Sequence, residues 1–125
     1  MMWSPPNPRE YNAQVWQIVR QIPRGRAMSY GQIAALLPTP EGIDDETYRR
    51  LGPRWVGAAM RAVKNVQIPW WRVLNAAGQI SLPAGSASAL EQRQRLEEEG
   101  VVFDAKDSLD FAVVGWEPSD PSGEA

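Results

Sequence analysis

The 125-residue chain contains no cysteine and no histidine. That excludes disulfides, thiolate nucleophiles, zinc sites of the Cys/His kind and every imidazole-based triad. No apolar run approaches the roughly 20 residues of a membrane span. The N-terminal MMWSPPNPRE lacks the charged-then-apolar layout of a signal peptide. These absences predict a cytoplasmic protein that engages no membrane, and nothing in the sequence calls for a cofactor or a metal. Acid is also missing from one long stretch. All fifteen Asp and Glu lie in residues 1–46 or 91–125, while residues 47–90 carry Arg49, Arg50, Arg54, Arg61, Lys64 and Arg72 and a local charge of +6. A solvated charged face is the plain explanation for a charge run, but 44 acid-free residues mark the place to look for a phosphate backbone.

What is present fits one globular domain. Apolar residues make up 43% and charged residues 22% of the chain, near the average for folded soluble proteins. Residues 1–8, with three prolines, read as an irregular arm. Tyr11, Val15, Trp16, Val19 and Ile22 follow at helical spacing and predict an amphipathic helix that stops before Pro23. Ser29 has the character of an N-cap for a short helix YGQIAALL, ended by Pro38-Thr39-Pro40. Residues 38–52 read as a long polar connection holding at most one helical turn, and Pro53 suits the first position of the next helix, RWVGAAMRAVKN. Residues 66–84 are apolar, interrupted by Pro and Gly, and fit a tight loop and turn better than a strand. Ser86 or Ser88 can cap ALEQRQRLEEE, which Gly100 ends. VVFDA reads as a short extended piece, DSLDFAVVGWEP as a segment folding back on the body, and residues 117–125 as a flexible tail. The expected domain spans 9–116 and is mainly α, with a helix-turn-helix of winged-helix-like type.

Three segments in order, IPRGRAMSYGQIAALL, GPRWVGAAMRAV and IPWWRVLNAAGQISLPAG, resemble the C-terminal, DNA-binding domain of the O6-alkylguanine-DNA alkyltransferases. The likeness covers roughly residues 9–102. In those enzymes the third segment reads P-C-H-R-V, with the cysteine as alkyl acceptor. Here it reads Pro69-Trp70-Trp71-Arg72-Val73. A tryptophan at the acceptor position is the mark of the alkyltransferase-like proteins, many of which retain the following histidine; Trp71 departs from them.

Dealkylation at guanine O6 is a displacement at carbon that needs an activated thiolate. By resemblance the Cys, His and Glu of the enzymes fall on Trp70, Trp71 and Glu99. An indole is neither such a nucleophile nor a proton relay near neutral pH. The expectation is a protein without catalytic residues.

The resemblance also implies a binding apparatus. Tyr30 matches a tyrosine that presses on the target phosphate as the nucleotide rotates out; a half-buried core tyrosine is the plain alternative. Arg54 matches an arginine finger that fills the vacated stack, since a planar guanidinium can both stack and donate. Gly57 and Ala58, with Ala59, would let the recognition helix approach DNA closely in the minor groove, and Arg61 and Lys64 would meet phosphates. The lesion pocket is expected at Trp70, Trp71 and Arg72 and at the loop Ser81, Leu82, Pro83, Ala84 and Gly85. Trp70 is expected to face the base and Trp71 to pack away, while Arg72 ties the loop through carbonyls.

The implied partner is double-stranded DNA containing O6-alkylguanine, bound by nucleotide flipping and then handed to nucleotide excision repair proteins. A monomer associated with the nucleoid when bound to DNA is expected, since nothing suggests a coiled coil or a symmetric interface. Two rivals differ in kind. A helix-turn-helix transcription regulator would need Arg, Asn or Gln reaching base edges along its recognition helix, where this chain offers mostly Val, Gly, Ala and Met. An alkyltransferase with another nucleophile finds no Cys or His to use.

Overall fold

The computed structural model describes residues 4–65 and 67–118. Five helices and one minimal sheet follow in the order α1 (Pro8–Val19), β1 (Met28–Ser29), α2 (Tyr30–Leu36), α3 (Asp45–Arg61), a 3-10 turn (Trp70–Arg72), β2 (Val73–Leu74), α4 (Ala87–Glu98) and α5 (Phe111–Val114). The predominance of helix is as the sequence predicts. Residues 1–3 and most of the tail, 119–125, lie outside the described residues.

Local chemistry fixes the helix starts. Asn7 caps α1 by accepting from the Glu10 amide, with Pro8 as first helical residue. Ser29 and Gln32 form a reciprocal capping box on α2. Of the two candidates for α4, Ser86 caps it, accepting from the Ala89 amide at 3.2 Å. Gly100, at φ +91°, takes the left-handed conformation just past its end.

α3 corrects the sequence reading. It starts eight residues earlier than expected, capped by Asp44, which accepts from the Thr47 amide, and Pro53 sits inside it rather than at its head. An interior proline removes one helical hydrogen bond and crowds a carbonyl, at a cost of about 3 kcal/mol. The helix continues through it because Tyr48, Leu51, Gly52, Trp55, Val56 and Ala59 form an unbroken buried stripe at i, i+3, i+4 spacing. Burying two aromatic side chains and two aliphatic ones outweighs one lost bond. Asp45 and Glu46 in the first turn also complement the helix dipole. The supposed long connection 38–52 therefore shrinks to Leu37–Asp44, close to a helix-turn-helix turn, and its second half is the first two turns of the recognition helix. At the crossing of α2 and α3 a Cβ on Gly52 would meet the Ala34 Cβ at 3.0 Å and the Tyr48 ring at 3.1 Å. The tightest packing of α3 inside the protein thus falls at Gly52.

The second correction is the sheet. Val73–Leu74, expected as loop, pairs in parallel with Met28–Ser29 in the register Met28↔Val73 and Ser29↔Leu74. Ala27 extends this seam through a bridge to Gly115. Two-residue strands carry no readable period, and their partners lie 45 residues apart. VVFDA forms no strand, while the 107–118 segment does fold back: Leu109 and Trp116 are each 4% exposed. Two apolar clusters result. One joins α1, α2 and α3 around the Tyr11, Tyr48 and Trp55 rings; the other gathers Ala27, Leu74, Leu96, Val101 and Leu109 beneath α4. The 70–74 segment, between them, is anchored from both sides.

Candidate nucleic-acid interface

Arg54, Gly57, Ala58 and Arg61 follow one another at i, i+3, i+4 and i+7, so they form a single stripe on the side of α3 away from its buried face. Arg54, Ala58 and Arg61 are exposed, as is Lys64 just beyond the helix. Neither Arg54 nor Arg61 makes a hydrogen bond or ion pair among the described residues, which leaves both guanidinium groups available. Arg50, one turn before Arg54 and also exposed, extends the same stripe; it was not among the predicted contacts. A Cβ built on Gly57 would meet only the Arg61 guanidinium, in ordinary contact at 3.7 Å, so the guanidinium lies over this part of the helix. Ala59 faces inward instead, fully buried, its carbonyl accepting from the Trp16 indole at 2.9 Å.

Beside this stripe opens a cavity of about 500 Å³, within the size range of small-ligand sites. Tyr30 stands on one side, Gly57, Met60 and Arg61 of α3 on another, and Trp70 with Val73 forms the floor. Ser81, Leu82 and Pro83 close the far side, while Ser88 and Gln92 reach in from α4. Met60, Val63, Val73, Ser88 and Gln92 also line it and were not predicted. The only signal for the last two is their i, i+4 spacing on one face of α4, which carries no chemistry by itself.

Of the expected pocket residues, Trp71, Arg72, Ala84 and Gly85 do not line the cavity. The two tryptophans diverge, with ring planes at 85°: Trp70 lines the cavity and Trp71 does not. Trp71 donates its indole N–H to Glu99 Oε2 at 2.8 Å, and the Arg95 guanidinium lies 4.5 Å from its ring centre.

Glu99 is a knot. Its carboxylate, 4% exposed, accepts from Arg72 Nε at 3.0 and 3.1 Å, from Arg72 Nη2 at 2.7 Å, from Trp71, and from the Gly25 amide at 2.9 Å. Burial alone would raise its pKa, yet Arg72, the Gly25 amide and Trp71 all bind the ionised form and hold it below its ordinary value of 4.5. Arg72 also donates from Nη1 to the Ile22 carbonyl at 2.7 Å. It therefore ties the 70–72 turn to the 22–25 turn and to the end of α4, not to the 81–85 loop as predicted. That loop is instead tethered by Tyr30, whose hydroxyl lies 2.8 Å from Ser81 Oγ across the cavity mouth, while its ring packs on the core. The ring of Tyr30 thus packs on the core while its hydroxyl reaches the cavity mouth.

Chemically the arrangement can bind a flat aromatic group and a polyanion side by side. The position carried over from the enzymes' base is an indole, and the carboxylate behind it is saturated with donors, so no group here is poised to deprotonate a nucleophile. Among the described residues no cluster of three or more acids could hold a metal ion. None of their helices is long and apolar enough to cross a membrane.

A helix-turn-helix with an aromatic-floored cavity beside its second helix defines a DNA-binding domain of alkyltransferase type. The family model described as 6-O-methylguanine DNA methyltransferase, DNA binding domain, matches residues 10–101. Alkyltransferase-like protein 1 of Schizosaccharomyces pombe is 38% identical over 93 residues, 74% of this chain and 77% of its own. The DNA base-flipping protein of Escherichia coli K12 is 34% identical over 103 residues, 82% of this chain and 71% of its own. The crystal structure of S. pombe Atl1 in complex with damaged DNA containing O6-carboxymethylguanine superposes with a TM-score of 0.69 at 32% identity, covering 88% of this chain and 97% of that one. The chain belongs to the family of the 6-O-methylguanine DNA methyltransferase DNA-binding domain, in its alkyltransferase-like branch.

Proposed function

We propose that this protein recognises damaged DNA without chemically altering it. It binds duplexes containing O6-alkylguanine, docks the exposed stripe of α3 in the minor groove, rotates the lesion into the cavity above Trp70, bends the DNA and flags the site for nucleotide excision repair. The observation that carries the reading is the cavity itself, set against a run of unpaired cations and floored by an indole where the enzymes hold their nucleophile. In this scheme Tyr30 presses on the phosphate of the rotating nucleotide and Arg54 enters the gap. Arg61 and Lys64 neutralise phosphates, with Gly57 and Ala58 keeping the helix low in the groove. Trp70 stacks on the extruded base, a contact worth about 1–3 kcal/mol in other systems, and Ser81, Leu82 and Pro83 cover it. In support, the S. pombe relative is described in complex with damaged DNA and the E. coli relative is named for DNA base flipping.

The test compares binding to O6-methylguanine and unmodified duplexes by gel shift, followed by mass analysis of the DNA. Tighter binding to the lesion, with the adduct intact after prolonged incubation, is expected. Recovery of plain guanine from the complex would overturn the non-enzymatic reading. Equal binding to both duplexes with preference for one sequence would favour a transcription regulator. The hand-over to repair is tested separately, by whether the bound protein accelerates incision of the lesion strand by purified excision-repair proteins.

A further inference from the structure

A second opening runs along α3. This groove of about 410 Å³ lies between α2 and the first half of α3, with Gly31, Ala34 and Ala35 on one wall and Tyr48, Arg49 and Pro53 on the other. Arg49, Pro53, Gly57 and Met60 follow one another at i, i+4, i+8 and i+11, a single row on the helix. The first two line the groove and the last two line the cavity floored by Trp70. The two openings therefore lie end to end on the flank of α3 that faces α2. They are parted where a Cβ on Gly31 would come within 3.9 Å of the Pro53 ring.

The groove's charge sits at its lip. Arg49 is exposed and makes no hydrogen bond or ion pair among the described residues. Asp45 also borders the groove, but its carboxylate is tied to the Thr39 hydroxyl at 2.6 Å. Asp45 and Glu46, in the first turn of α3, put negative charge at the far end, where a phosphate is repelled. A trough with small apolar walls and an available cation on one lip fits a deoxyribose lying against the wall, with its phosphate turned to the guanidinium. From Gly57 at the cavity to Arg49 is eight residues, about 12 Å of helix, or roughly three to four base-pair steps of about 3.4 Å. Resting on the lesion-binding reading above, we propose that this groove is a second DNA subsite, which holds the backbone of the lesion-bearing strand a few nucleotides to one side of the extruded one, with Arg49 on its phosphate. The protein then grips that strand at two points, the cavity and the groove, and its hold on the duplex is one-sided.

The experiment places single methylphosphonate linkages, which carry no charge, at successive positions on both sides of O6-methylguanine and measures Kd by fluorescence anisotropy. Wild-type protein should lose about five- to tenfold in affinity when the linkage at Arg49 is neutral, the range for one phosphate contact at roughly 0.1 M salt. Arg49→Ala should bind the all-phosphate duplex more weakly by the same factor and reduce the slope of log K against log salt by about 0.9. It should be indifferent to that one linkage, on one side of the lesion, and keep wild-type sensitivity to the others. Ala35→Glu, an exposed change on the opposite wall, should also weaken binding and abolish the same sensitivity. Thermal melts check that both variants are folded. A cation acting only through the general field would be coupled equally to every linkage, which refutes the proposal. So does coupling to linkages on both sides of the lesion. If the wild type prefers O6-methylguanine over guanine but no linkage is coupled to Arg49, only the groove's role falls; if it shows no such preference, the functional reading falls and takes this proposal with it.

Discussion

Replacing Glu99 by glutamine isolates the knot behind the cavity floor. The carboxylate gathers donors from Arg72, Trp71 and Gly25, and its pair with Arg72 is largely buried, at 4% and 14% side-chain exposure. Glutamine keeps one acceptor oxygen but points an NH₂ at guanidinium and indole donors, leaving Arg72 charged and unpaired. Removing one partner of a buried ion pair costs about 3–5 kcal/mol. Arg72 retains its Ile22 carbonyl and a little solvent contact, so the lower figure applies, about 3 kcal/mol at pH 7. For a chain of this size that lowers Tm by about 10 °C. Acid provides an internal check. Because the folded pKa of Glu99 is depressed, its contribution is complete above its unfolded value near 4.5 and is lost as the pH falls through the lower folded value. The glutamine variant has no such group, so the stability gap between the two proteins should narrow below pH 4.5. Guanidinium unfolding followed by circular dichroism at a series of pH values measures it. A gap under 1 kcal/mol at neutral pH, or one that stays constant on acidification, would refute the account of this carboxylate.

Four further outcomes are expected. Arg54→Ala should weaken lesion binding while non-specific binding falls only by the loss of one charge. Tyr30→Phe should cost less than Tyr30→Ala because the ring still packs on the core; a fluorescent base analogue at the lesion reads extrusion directly, and unchanged extrusion in both alanine variants would contradict the assigned roles. Gly52→Ala should destabilise the fold by about 1–3 kcal/mol, since its methyl must push against Ala34 and Tyr48; chemical denaturation measures this, and an unchanged midpoint would show that the helix crossing yields freely. Trp70→Cys should transfer alkyl groups poorly, because position 71 offers no imidazole and a thiol of ordinary pKa is only a few per cent ionised at pH 7. Trp70→Cys combined with Trp71→His should be faster, since residue 71 already points at Glu99; single-turnover transfer from labelled DNA decides, and equal rates would remove position 71 from the relay.

The sequence by itself determined whatever depends on residue identity and local spacing. The absence of Cys and His settles that no thiolate or imidazole is available. Ser29 with Gln32, and Ser86 with Ala89, cap their helices within four residues of chain, where composition and hydrogen bonding are read together. The stripe Arg54, Gly57, Ala58, Arg61 follows from helical geometry alone, and the divergence of Trp70 and Trp71 from the crowding of two adjacent indoles. What the tertiary structure decided depends on contacts distant in the chain. Pro53 reads locally as a helix start, and only the burial of Tyr48, Leu51 and Gly52 against α1 and α2 carries α3 through it. Val73–Leu74 becomes a strand because Met28–Ser29 lies beside it. Glu99 becomes a structural carboxylate, and Gln92 a donor to two carbonyls of the cavity segment, because α4 docks on the 70–74 segment and presents them to groups 19 to 74 residues away. Side-chain direction and hydrogen-bond satisfaction are set by such packing, and a linear pattern does not contain them.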